Sequence, residues 1–294
     1  MINFGNMIKN KFKDTKRRIF TMIYEKFSLY ADRPHITLTM YVSENSPEFR
    51  NFKKPAVLVL PGGGYHFTSD REAEPVAKAF FAAGFNAFVL RYSVKEEAKD
   101  YAPLLDAATA MKFIRDNADK YNIDKDKVLV CGFSAGGHLS ASLGTLWKLD
   151  IIKKTLGCDG EYIKPNGMIL GYPVISGVDK PHSMSFQALT GKENPSTEEL
   201  ERFSLEKHVD TDTPPAFVWH TADDVPVPVE NALVICQAFA AKSVPFELHV
   251  FPFGEHGLSL ANIEVAPKDE MVMPYIERWF DFAIKWANEI VFAK

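Results

Sequence analysis

The sequence predicts a single α/β domain: a mostly parallel central sheet with helices on both faces. Three observations carry this. Residues 56–60 and 128–131 are short, unbroken apolar runs, as expected of strands covered on both faces. Further β-rich runs alternate with stretches of helical periodicity almost to the C-terminus, the order that builds βαβ units. No internal repeat and no Pro/Gly/Ser-rich linker divides the 294 residues. With 46% hydrophobic and 24% charged residues, the chain has ample material for a core and lies far from a disordered composition. A net charge of −4 supplies no general attraction to nucleic acid or an anionic membrane.

The elements follow in order. Ile8, Phe12, Ile19, Ile23 and Phe27 stand at helical spacing among lysines and arginines, which predicts an amphipathic helix over 1–30, set apart from the domain at 31–294. A basic amphipathic helix can bind a membrane surface or a partner, but basic helix faces are usually just solvated, which favours a helix laid over the domain or across the interface of a homo-oligomer. Arg17-Arg18 suggests a leader, but Glu25 and Lys26 break the following apolar run and no small-residue cleavage site appears. The segment reads as retained and the protein as cytoplasmic. Cys131, Cys158 and Cys236 are too few and too scattered for a disulfide framework or a zinc site, which suits a reducing compartment. No stretch approaches the roughly 20 apolar residues of a membrane span.

Residues 36–42 alternate and form an early strand, and 43–54, with Pro47, form a loop. The 56–60 strand ends in Pro61-Gly62-Gly63-Gly64-Tyr65. A helix over 75–83 aligns Val76, Phe80 and Ala83, with Pro75 in its first turn and Gly84 as its stop. Residues 86–92 make the next strand, and Leu104, Ala108, Met111 and Ile114 mark a helix over 103–117. Strands follow at 167–171, 216–220 and 247–251, with a helix over 229–241 between the last two. A closing helix from Pro274 aligns Ile276, Trp279, Phe280, Ala283 and Ala287. Residues 176–213 lack clear periodicity and read as a lid-like insertion.

Gly132, Ser134 and Gly136 fit G-x-S-x-G between the 128–131 strand and a small-residue, helix-compatible stretch. That context is a nucleophile elbow, a strained strand-to-helix turn with the serine at its tip. Three other loops after strands carry matching chemistry. Gly62-Gly63-Gly64 lets backbone N–H groups approach a developing oxyanion. Asp223 and Asp224 supply a carboxylate to orient a histidine, and His256 stands between Gly254 and Gly257. The order Ser134, Asp223/Asp224, His256 is that of α/β hydrolases and of neither other serine-protease arrangement. His66 and His138 flank these loops. Neither forms an H-x-H or H-E-x-x-H pair, so no metal site is expected.

The chain resembles bacterial α/β-hydrolase esterases of the acetylxylan-esterase/feruloyl-esterase-like group, related to the hormone-sensitive-lipase branch. The resemblance rests on Pro61-Gly-Gly-Gly-Tyr65, Arg71-Glu-Ala-Glu-Pro75, Leu90-Arg-Tyr92, Gly132-Phe-Ser-Ala-Gly-Gly-His138, Trp219-His-Thr-Ala-Asp-Asp-Val-Pro-Val-Pro228 and Gly254-Glu-His-Gly257, and covers roughly residues 36–286. Laying the family's late motif on residues 220–228 implies Asp224 as the catalytic acid, with Asp223 the fallback. The resemblance also implies an oxyanion hole from the N–H groups of Gly62, Gly63 and Ala135. Pro61 stands where lipase-like relatives carry histidine, which favours the carbohydrate-esterase side. The expectation is a cofactor-free serine esterase deacetylating sugars or short xylo-oligosaccharides, with Tyr65 and His66 touching the substrate. An arylformamidase-like amidase or a small serine peptidase would use the same triad, and a non-catalytic binding protein would lack turnover.

Overall fold

The computed structural model describes residues 22–45, 48 and 52–293. Its strands are β1 (Met22–Ser28), β2 (Thr37–Ser43), β3 (Lys54–Leu60), β4 (Asn86–Arg91), β5 (Ile123–Phe133), β6 (Gly167–Gly171), β7 (Ala216–Thr221) and β8 (Phe246–Phe251). They form one sheet in the order β1-β2-β4-β3-β5-β6-β7-β8. β2 runs antiparallel to both β1 and β4, and every other pair is parallel. This is the mostly parallel α/β sheet the sequence predicts.

The helices are α1 (Glu74–Ala82), α2 (Ala102–Asp116), α3 (Ala135–Thr145), α4 (Asp150–Leu156), α5 (Ser183–Thr190), α6 (Thr197–Glu201), α7 (Glu230–Ala241), α8 (Pro274–Glu277) and α9 (Trp279–Trp286). Successive strand residues point to opposite faces, so the apolar runs feed two cores. Leu58, Val130, Leu170 and Val218 join the side chains of α2, α3 and α7 on one face. Val59, Cys131, Ile169 and Trp219 join those of α1 and α9 on the other. There the Trp219 and Trp279 rings stack with centroids 5.1 Å apart.

The structure corrects the sequence reading in several places. Met22–Ser28 is a strand, not the end of a helix, and its Ile23 and Phe27 face Val42 and Leu38. A spacing of four residues puts two side chains on one face at both the helical and the strand period, and pairing with β2 decides between them. The sheet therefore begins before residue 31. Ile8, Phe12 and Ile19 lie outside the described residues. The 176–213 insertion is not irregular: it holds α5 and α6, each too short to display a clear period. α4 is similarly short and escapes sequence reading. The closing helix is interrupted at Arg278, between α8 and α9.

Candidate active site

Because β3, β5, β7 and β8 are parallel, their carboxyl ends lie along one edge of the sheet, and the loops that follow them converge there. The elbow is built by close approach. A Cβ on Gly132 would stand 2.1 Å from the Gly136 carbonyl oxygen, and one on Gly136 would stand 2.0 Å from that of Leu60. Between them Ser134 takes φ 53°, ψ −121°, a strained conformation for a side-chain-bearing residue. Its N–H donates to Gly171 O at 3.0 Å, and its carbonyl accepts the N–H groups of His138 and Val174 at 3.0 and 3.1 Å. These bonds hold the strain in place.

Ser134, His256 and Asp224 are brought into one hydrogen-bonded line. The Ser134 hydroxyl lies 2.9 Å from His256 Nε2, and His256 Nδ1 lies 2.7 Å from Asp224 Oδ2. A carboxylate can only accept, so Nδ1 carries the proton and Nε2 faces the serine as acceptor. Asp224 is buried and also accepts the Val227 N–H at 3.0 Å. His220 Nε2, which donates to Val227 O at 2.8 Å, sits 3.4 Å from Asp224 Oδ2. Burial works to raise the Asp224 pKa, but the hydrogen bonds from His220 and His256 outweigh it and hold it at about 2. Asp223 points elsewhere: its Oδ1 accepts the Gly254 N–H at 2.8 Å, tying the β7 loop to the His256 loop.

The backbone donors divide differently from expectation. Gly62 is not available to an oxyanion, because its N–H donates to Oε2 of the buried Glu72 carboxylate at 2.8 Å. Ala135 opens α3, where first-turn N–H groups have no partner within the helix. No protein acceptor takes the Gly63 N–H among the described residues. Glu72 Oε1 accepts the Tyr172 hydroxyl at 2.7 Å, and that hydroxyl accepts the Ser259 N–H at 2.8 Å. The Tyr172 ring packs edge-on against His256, centroids 5.1 Å apart. One buried carboxylate thus joins the glycine loop to the histidine loop. Tyr172 carries no site signal in the sequence, and Glu72, inside the quoted Arg71-Glu-Ala-Glu-Pro75, offers only a capping box with Ser69, which the structure does not form.

Tyr65 does not contact the cleft. It is fully buried, and its hydroxyl donates to His138 Nδ1 at 2.8 Å. His138 donates from Nε2 to Phe203 O at 2.8 Å, and burial lowers its pKa to about 4, so it is a neutral core residue. His66 does line the cleft, a space of about 320 Å³ shared with Gly63, Phe67, Ser134, His182 and His256. The His66 Nε2 is buried without a hydrogen-bond partner. His182, overlooked in the sequence, arrives at the N-terminus of α5 and pairs its Nδ1 with the Ser185 hydroxyl at 2.9 Å. Burial lowers its pKa, and so does the proximity of His256 and His66. Among the described residues no group of three His, Cys, Asp or Glu side chains is placed to hold a metal ion. Among them, too, no helix is long and apolar enough to cross a membrane.

Strand order, elbow and converging loops define the class: the chain is an α/β hydrolase. Within that class it belongs to the BD-FAE family, whose model matches residues 45–239. Endo-1,4-beta-xylanase B of Butyrivibrio fibrisolvens is 43% identical over 219 residues, 72% of this chain and 34% of that protein. The acetylxylan esterase of Xylanibacter ruminicola is 30% identical over 244 residues, 81% of this chain and 47% of that protein. The chain therefore spans less than half the length of either relative. Among solved structures, the acetyl ester-xyloside bifunctional hydrolase of Caldicellulosiruptor lactoaceticus superposes with a TM-score of 0.78 at 37% identity, covering 91% of this chain and 97% of that one.

Proposed function

We propose that this protein is a cytoplasmic serine carboxylic-ester hydrolase that removes acetyl groups from sugars or short xylo-oligosaccharides. The observation that carries the reading is the unbroken line Ser134 Oγ, His256, Asp224 at 2.9 and 2.7 Å, opening into a cleft. Similarity to an acetylxylan esterase and to an acetyl ester-xyloside hydrolase supports the substrate class.

The chemistry is acyl transfer in two halves. Ser134 Oγ attacks the ester carbonyl carbon as its proton passes to His256 Nε2. Asp224, ionised across the working pH range, holds the histidine tautomer and stabilises the imidazolium. The N–H groups of Gly63 and Ala135 donate to the oxyanion. Collapse expels the alcohol, which takes the proton from His256 and leaves an acetyl-Ser134. Water then attacks that ester, giving its proton to His256, and acetate leaves as the proton returns to Ser134. His66, His182 and the exposed Phe67 ring form the wall beside Ser134, offering hydrogen bonds and an apolar face to a sugar.

Ser134→Ala tests the reading. Hydrolysis of p-nitrophenyl acetate should fall on the order of 10⁴–10⁶-fold with the fold intact. Retained turnover would remove Ser134 as the nucleophile. Faster turnover of N-formyl-kynurenine than of acetylated xylo-oligosaccharides would move the assignment to an amidase.

A further inference from the structure

The cleft at Ser134 does not end at His66. That residue is also a wall of a second cavity of about 420 Å³, lined further by Lys95, Glu96, Gln187, Lys192 and Glu193. The same two segments build both spaces. On one side, the loop that carries Gly63 and His66 is tied to Lys95, whose N–H donates to Tyr65 O at 2.7 Å. On the other side, α5 presents Met184 to the first cavity and Gln187, three residues and about 4.5 Å further along the axis, to the second. That step is comparable to the advance of one sugar ring along a chain.

The second cavity has a distinct chemistry. Beside His66, Ala188 and Gly191, its walls are the amide, ammonium and carboxylate side chains of Gln187, Lys95, Glu96, Lys192 and Glu193, with no large apolar side chain and with charges that alternate in sign along the chain. Lys192 is already paired with Glu199 at 2.5 Å. Such a surface makes hydrogen bonds readily but has no net field to select an anion, which suits a neutral, hydroxyl-rich ligand. At the junction His66 belongs to the walls of both cavities, so a ligand running from one to the other must pass its ring.

We propose that this second cavity is a further subsite for the alcohol part of the ester, taking the next sugar unit of an acetylated oligosaccharide with His66 between the two rings. The inference rests on the ester-hydrolase reading above and goes beyond it by predicting a preference for chain length. It is tested by measuring kcat/KM on p-nitrophenyl acetate, acetylated xylose and acetylated xylobiose. The disaccharide ester should exceed the monosaccharide ester by about tenfold, the worth of one or two added hydrogen bonds. Gln187→Trp, which fills the cavity, should bring that ratio toward one. So should the double variant Lys192→Ala with Glu193→Ala, in which only exposed side chains are trimmed. The ratio is taken within each protein, so partial loss of folded enzyme cancels. Equal rates on the two sugar esters, or a ratio untouched by both variants, would overturn the subsite alone. Turnover of p-nitrophenyl acetate with neither sugar ester overturns the sugar reading and the subsite together. No turnover of any of the three overturns the ester-hydrolase reading beneath both.

Discussion

Gly62 donates its N–H to the buried carboxylate of Glu72 at 2.8 Å, and the other oxygen of that carboxylate receives the hydroxyl of Tyr172 at 2.7 Å. The glycine loop is thereby held at a fixed distance from the histidine loop, because Tyr172 also packs on His256 and accepts the Ser259 N–H. Glu72→Ala leaves two buried donors unpaired, at roughly 1–3 kcal/mol each. The expected outcome is a melting point several degrees lower and, since oxyanion donors act in the transition state, a kcat for p-nitrophenyl acetate down about 10–100-fold with KM little changed. Glu72→Gln keeps an acceptor for Gly62 and should recover part of kcat. Wild-type kcat in Glu72→Ala would refute this positioning role.

The adjacent carboxylates should separate cleanly. Asp224→Asn removes the acceptor that sets the His256 tautomer and is expected to lower kcat about 10³–10⁴-fold. Asp223→Asn weakens one bond to Gly254, so about 1 kcal/mol of stability and a small part of kcat are expected to go. Steady-state kinetics on the two variants decide, and the reverse ranking would exchange their roles.

His138 should make the fold acid-sensitive. Its pKa falls from 6.5 to about 4 on burial, so between those values the unfolded chain binds a proton that the native state does not. Stability is fully present above pH 6.5 and is lost as pH falls toward 4, by about 3 kcal/mol over the interval. Urea titrations at stepwise pH should show this slope, and His138→Gln should flatten it. An unchanged slope in the variant would assign the proton uptake elsewhere.

The elbow tolerates no side chain at Gly136. A methyl there would sit 2.0 Å from Leu60 O and 2.5 Å from Pro61 O, both backbone atoms that cannot swing aside. Gly136→Ala should cost at least about 3 kcal/mol, read as a melting point lower by 10 °C or more or as insoluble expression. A normally stable variant would mean that the strand–helix approach is looser than described.

Much of this protein was legible in sequence because the signals are local. Apolar runs and helical spacing mark most of the elements, and glycine spacing marks the turn at Ser134. Strand ends locate Ser134, the pair Asp223/Asp224 and His256, and the family motif points to Asp224; Ser134, Asp224 and His256 are the side chains that meet within hydrogen-bond distance. Local signals fail where two periods coincide, as at Ile23 and Phe27, whose strand exists because β2 is there to pair with it. They also fail where a bond joins distant segments. Glu72 and Tyr172 lie 100 residues apart, and only packing reveals that their contact occupies the Gly62 N–H. The same holds for Tyr65, drawn into the core by His138, and for His182, carried into the cleft by α5. Sequence determined which chemical groups stand at the ends of the strands. Tertiary structure alone decided which of their donors and acceptors remain free, because a hydrogen bond satisfied within the fold is no longer available to a substrate.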